Sequence, residues 1–174
     1  MALREIVVAP DPILKAKAKP VDKVDDAVRR MMDDMLDTMY EAPGIGLAAP
    51  QIGVSQRVIV MDIAREDEPK APLCMVNPEL VWVADEDASY EEGCLSVPEH
   101  YADVVRPAEI RVRYLDRDGK QQELLTGGLL ATVIQHEMDH LDGVLFIDHL
   151  TSLKRNMILR KLLKSRKQVL EKAS

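Results

Sequence analysis

The stretch that decides the fold runs from Gly127 to Gly143: GGLLATVIQHEMDHLDG. It opens on Thr126-Gly127-Gly128 and closes on Gly143, the residue type that most readily ends a helix. Between them apolar residues recur at helical steps, which predicts a helix over Leu129 to Asp142. Leu129 and Val133 share a side with His136 and His140, while Leu130, Ile134 and Met138 occupy another. A helix that is apolar on two sides lies inside a domain rather than on its surface.

Outward from this helix the pattern changes period. Just before it, Ile110, Val112 and Tyr114 alternate with Arg111 and Arg113, a half-buried strand. Asp116-Arg117-Asp118-Gly119 is a hairpin turn, and Gln121 to Leu125 returns. Upstream, Val58 to Met61 is a continuous apolar run and reads as a buried strand. Met75 to Val83 reads as one or two strands broken at Asn77-Pro78. An earlier helix runs from about Asp25 to Glu41, because Val28, Met31, Met32, Met35, Leu36 and Met39 recur at three- and four-residue steps. Asp25 caps its start, Pro43-Gly44 ends it, and its methionines read as core. Residues 1–24 look irregular, and a last helix spans Thr151 to Lys172. Strands grouped between helices, without strand–helix–strand alternation, give an α+β class with antiparallel or mixed sheets. The GGLLATVIQHEMDHLDG helix is central, with an N-terminal and a C-terminal helix around it.

The 174 residues fit one domain. With 47% hydrophobic and 30% charged residues, disorder and fibrous repeats are excluded. Aromatics are only 3%, so Val, Ile, Leu, Met and Ala build the core and a base-stacking module is disfavoured. The net charge of −7 hides an asymmetry: residues 153–174 carry +7 and residues 1–152 carry −14. The division expected is therefore a catalytic body, 1–152, and a basic helical tail, 153–174. Two cysteines make no disulfide scaffold. No apolar run approaches a membrane span and the N-terminus lacks a signal-peptide pattern, so a cytoplasmic protein is expected.

The chemistry-bearing string is His136-Glu137-Met138-Asp139-His140. Histidines four apart share a helix face and can hold one ion, with a neighbouring carboxylate to move a proton. Such an ion sits at the back of an apolar pocket, the setting of a small-molecule site. A third ligand is needed. His149, Asp142 and Asp148 lie downstream; Cys94, in Glu91-Glu92-Gly93-Cys94-Leu95-Ser96-Val97-Pro98, competes as a thiol presented at a bent strand end. Cys74, inside Leu73-Cys74-Met75-Val76, reads as a small buried hydrophobe.

GIGLAAPQ at 44–51, EGCLS at 92–96 and QHEMDH at 135–140 together resemble the three signature motifs of peptide deformylases, in the family's order. The resemblance extends from the REIVVAPDPIL opening through Asp148-His149-Leu150. It implies removal of the formyl group from the N-terminal formylmethionine of new polypeptides, releasing formate. It implies Cys94, His136 and His140 as metal ligands and Glu137 as general acid and base. It places Gln51 and the backbone N–H of Leu95 at the oxyanion. It implies a divalent metal, Fe2+ natively, with Zn2+, Ni2+ or Co2+ able to replace it. From helix face and motif position, Ile45, Tyr90, Leu129 and Val133 are expected to line the methionine slot, and the main chain of Gly46 to pair with the peptide as an added strand would. Tyr101 departs from the family, since some relatives carry Arg there. Glu92 and Arg106 are expected to pair. Asp139 reads as a surface acid, and His100 and His149 as non-ligands.

Two rival readings follow from the same residues. One is an HExxH metallopeptidase. The other is a non-catalytic RNA-binding protein with a closed structural site of Cys74, Cys94, His136 and His140. The tail interleaves Leu153, Ile158, Leu162 and Leu163 with eight bases. It is expected to dock its apolar side and to offer its charge to ribosomal RNA.

Overall fold

Why Val58-Ile59-Val60-Met61 can be apolar at every position is visible once the layers are placed. The computed structural model describes residues 2–173. Strand β2 (Val58–Met61) is buried throughout because helices cover both faces of its sheet. Val58 and Val60 pack against the methionine stripe of α1 (Asp26–Glu41), while Ile59 and Met61 pack against Ala131, Ile134 and Met138 of α2 (Gly128–Leu141).

The sheet itself has five strands in the order β1-β2-β3-β6-β7, with every neighbouring pair antiparallel. Its remaining members are β1 (Gly46–Ala48), β3 (Leu73–Val83), β6 (Glu109–Leu115) and β7 (Gln121–Gly127). β3 is one strand, not two. Asn77 takes φ +50 and the register slips between Val76 and Glu79, so the Asn-Pro break appears as a bulge within continuous pairing. Asn77 is held there by its side-chain amide, which accepts from Val21 N and donates to Val21 O, both at 2.8 Å.

Each helix start has a local cause. Asp25 caps α1 by accepting the Val28 N–H at 3.0 Å. Burying Met32, Met35 and Met39 without residual exposure contributes about 1.5–3 kcal/mol each in apolar transfer. α2 begins at Gly128, which has φ +60 and closes the turn out of β7.

A second, two-stranded ribbon, β4 (Asp87–Cys94) with β5 (Val97–Pro107), lies against the other side of α2. The alternation rules of the sequence did not reveal it. Behind it sits a third core of Leu14, Val97, Val104, Phe146, Ile147 and Leu162. α3 (Ser152–Ala173) docks through Leu162, Ile158 and Leu159, while Leu153 and Leu163 stay exposed. Glu171 and Lys172 of the basic tail lie outside the residues whose side chains are described. No helix among the described residues is long and apolar enough to cross a membrane.

Candidate active site

Helix spacing puts His136 and His140 on the buried side of α2, with ring centroids 5.2 Å apart. The ribbon brings the third group. The register of β4 with β5 is regular from Asp87 to Gly93 and slips at Cys94. The slip turns the thiol toward the helix, 3.4 Å from His140 Nε2. One ligand atom from each of Cys94, His136 and His140 lies within 4.8 Å of the others, the only such trio among the described residues. Cys74 is elsewhere, in the core under α1, so a closed four-ligand site does not form. Burial pushes its thiol up to about 11. His149 pairs with Asp139 instead.

These groups fit one divalent metal ion. Tetrahedral sites with metal–sulfur and metal–nitrogen bonds of the usual lengths have ligand-to-ligand edges of roughly 3.6 Å; here the Cys94–His140 edge is 3.4 Å and all three lie within 4.8 Å. His136 Nδ1 is engaged by Glu92 Oε1 at 2.9 Å, which leaves Nε2 turned inward. His140 Nδ1 and Glu137 Oε1 are buried without a partner among the described residues. His140 is pushed down by burial and then by His136 and Arg106, so its imidazole is neutral and a lone pair is available. Burial works the same way on His136, but Glu137, Cys94 and Glu92 outweigh it. Anions that favour a proton on that ring equally favour a metal cation in front of it.

Glu137 occupies a site with no room to spare. A Cβ on Gly46 would come to 2.4 Å from its Oε2, so only glycine lets β1 pass this closely. Burial first, then the charges of Glu92 and Asp139, push its carboxyl up to about 7 against the opposing pull of His136 and Arg106.

Gln51 is fixed by its own turn. Its Oε1 accepts from Ala48 N at 2.9 Å, and Nε2 donates to Ser96 Oγ at 3.0 Å and to Cys94 Sγ at 3.5 Å. Ser96 N donates to the same sulfur at 3.4 Å. A cavity of about 570 Å³ opens in front of these groups. Gln51, Cys94, Leu95, His136 and Glu137 all line it, with Ile45, Gly46, Tyr90, Leu129 and Val133. His140 alone among the expected site residues stands behind the wall.

Around the site runs a buried ionic clamp. Arg106 donates from Nε and Nη2 to both oxygens of Glu92, at 2.7 and 2.9 Å. Its Nη1 donates to Asp139 Oδ2 at 2.8 Å, which also takes His149 Nε2 at 2.9 Å. The expected Glu92–Arg106 pair is present, but Asp139 is part of the clamp rather than a plain surface acid. The signal was its position three residues after His136, on the flank of the helix that faces β5. Ser96 was also missed; it is wholly buried and anchors Gln51. The chain's single Phe, Phe146, stacks on the His136 ring at 6.1 Å, which no pattern in the sequence announced.

Sheet, ribbon and donor set together fit the class of metal-dependent hydrolases: one thiol and two imidazoles that could hold an ion stand beside a buried carboxyl. Comparison with known proteins narrows the class. The family pattern described as polypeptide deformylase matches residues 3–156. The peptide deformylase of Phenylobacterium zucineum is 61% identical over 167 residues, covering 96% of this chain and 99% of the relative. That of Agrobacterium fabrum is 54% identical, covering 95% and 97%. Among solved structures, peptide deformylase from Ehrlichia chaffeensis superposes with TM-score 0.92 at 38% identity, covering 97% of this chain and 99% of that one. The Legionella pneumophila enzyme gives TM-score 0.89 at 47% identity, covering 97% and 98%. The chain belongs to the peptide deformylase family. It is a hydrolase that takes the formyl group from the N-terminal formylmethionine of new polypeptides.

Proposed function

We propose that Cys94, His136 and His140 hold the divalent ion, Fe2+ natively, and that Glu137 is the general acid and base. One observation carries the reading: three soft-to-borderline donors converge beside a buried carboxyl at the back of an open, largely apolar cavity. A divalent cation held there supplies Lewis acidity, acidifying a water and polarising the formyl oxygen. Glu137 takes the proton of the attacking water. As the carbon–nitrogen bond breaks it returns that proton to the leaving amine, so formate and a free methionyl terminus result. A carboxyl that burial pushes toward neutrality suits both halves of the task.

Gln51 and the Leu95 main-chain N–H stabilise the charge that grows on the formyl oxygen. Each such donor is worth roughly 10²–10³ in rate. Gln51 can turn to this oxygen by releasing its longer contact, the 3.5 Å one to sulfur, while Ser96 and Ala48 keep the amide in place. Ile45, Tyr90, Leu129 and Val133 form the slot for the unbranched methionine side chain. Gly46 pairs with the peptide backbone, which gives affinity without regard to sequence. Residues 1–152 form the catalytic body and 153–174 a basic C-terminal tail that meets ribosomal RNA, in a cytoplasmic enzyme.

Anaerobic purification, metal analysis and a formate-release assay test the core of this. Iron in near-stoichiometric amount, with formate released from a formyl-methionyl peptide and no cleavage of internal peptide bonds, is the expected result. Internal cleavage would favour the metallopeptidase instead. Pelleting with ribosomes that survives removal of the tail would refute its role there.

A further inference from the structure

Tyr101 lines both the active-site cavity and a second depression. It is a groove of about 360 Å³ between β5 and α3, in which Tyr101 and Asp103 face Lys154, Met157, Ile158 and Lys161. The four helix residues fall at the spacing of one stripe, next to the stripe that docks α3 through Ile158 and Leu162. The tyrosine's position is set by the backbone beneath it. A Cβ on Gly93 would come to 2.5 Å from Tyr101 Cε1, so the ring lies directly on the strand that ends in Cys94. Tyr101 is 67% exposed and belongs to the wall of both depressions.

We propose that this groove is a distal binding site for the downstream residues of the formylated chain itself. The inference rests on the assignment of the first cavity to the formylmethionyl end. A nascent polypeptide does not stop where that cavity stops, and Tyr101, which lines both, sets the two spaces side by side. An extended chain advances ~3.4 Å per residue, so residues downstream of those held in the first cavity reach past the ring.

The chemistry changes along this path. Glu91, Glu92 and Glu99 lie on the first cavity, and among the described residues that line it there is no Lys or Arg. The groove instead offers two lysines against one aspartate, over the half-exposed Met157 and the partly buried Ile158. The segment it accepts best is therefore apolar with acidic residues, downstream of the residues that the first cavity holds.

Steady-state deformylation of formyl-methionyl peptides tests this. A tripeptide is compared with a nonapeptide that begins with the same three residues and continues with leucines and glutamates. The nonapeptide is expected to have a KM lower by about fivefold, the worth of partly burying one apolar side chain, at unchanged kcat. Replacing its glutamates by lysines should remove part of that gain at low salt. Met157→Glu and the pair Lys154→Glu, Lys161→Glu should erase the gain and leave tripeptide kinetics as they were. Equal KM values for the two peptides in the unaltered enzyme overturn the groove while leaving the first cavity's assignment intact. Failure to release formate from either peptide brings down that assignment and this inference with it. Variants that keep the length advantage but no longer pellet with ribosomes would show the lysines to serve RNA, and would also overturn it.

Discussion

The β6–β7 hairpin and the β4–β5 ribbon are both antiparallel pairs that turn alternate side chains toward α2, yet they turn opposite chemistry inward. β6 buries Ile110, Val112 and Tyr114 against the helix and leaves Arg111 and Arg113 in solvent. The ribbon buries Glu92 and Arg106, each about one-twentieth exposed, and places a cysteine at its end. Buried ion pairs seldom add net stability over a hydrophobic filling of the same space. The hairpin is thus built to hold the domain together, and the ribbon to hold a thiol and an imidazole at a set distance. Substitutions in the two should separate stability from chemistry.

The largest effect is expected where helix and ribbon meet. Glu137→Gln should lower kcat by about 10²–10⁴. Its melting temperature should stay level or rise, because a buried carboxyl with an unpartnered oxygen is replaced by a neutral amide. A large fall in melting temperature with activity retained would show that Glu137 belongs to the scaffold.

Next comes the clamp. Arg106→Ala strands Glu92 and Asp139 and should cost about 3–5 kcal/mol. It should also weaken metal binding by roughly 10–100-fold, since Glu92 would no longer be steadied against His136 Nδ1. Denaturant unfolding and metal titration read the two separately. Arg113→Ala, on the exposed face of the hairpin, should stay within about 0.5 kcal/mol and leave metal binding alone. Full activity and unchanged melting in Arg106→Ala would erase the distinction between ribbon and hairpin.

The same contrast explains what the sequence disclosed. Hydrophobic period announces elements that bury oil, so α1, α2, β2 and the β6–β7 hairpin could all be read from it. The ribbon buries an acid and a base and half-buries a thiol, and to that rule its strands look like loop. The sequence pointed to Cys94, His136 and His140 and to the Glu92–Arg106 pair, but not to the Asp139 arm of the clamp. Asp139 looks like any helix-surface acid until Arg106, 33 residues away, is seen to reach it. Tyr101 and the α3 groove are likewise products of packing between segments distant in the chain.

A smaller effect sharpens the hairpin's side of the comparison. Ile110→Val removes one methylene from a fully buried position and should cost about 0.5–1.5 kcal/mol. With kcat and KM unchanged, the loss would be pure packing; a loss of metal or rate would mean that the hairpin, too, tunes the site.

The smallest effect lies in the hairpin's turn, and it depends on pH. Asp116 accepts from Gln122 Nε2 through one oxygen, at 2.9 Å, and from Asp118 N and Lys120 N through the other, at 2.9 and 3.0 Å. These bonds, led by the one from Gln122, hold its carboxyl below the ordinary 3.8. A carboxylate with a lowered pKa in the folded chain releases its proton more readily there than in the unfolded one. Its contribution is therefore complete above the unfolded value and fades as pH falls through the folded one. Asp116→Asn should melt slightly earlier than the parent near neutrality, and the two melting curves should converge as pH drops below 3.8. The carboxylate lies at the surface, only partly buried, so added salt should shrink the gap as well. Convergence at low pH without loss of activity at any pH would mark the turn as scaffold. A change in the pH profile of deformylation would instead tie it to the chemistry on the far side of α2.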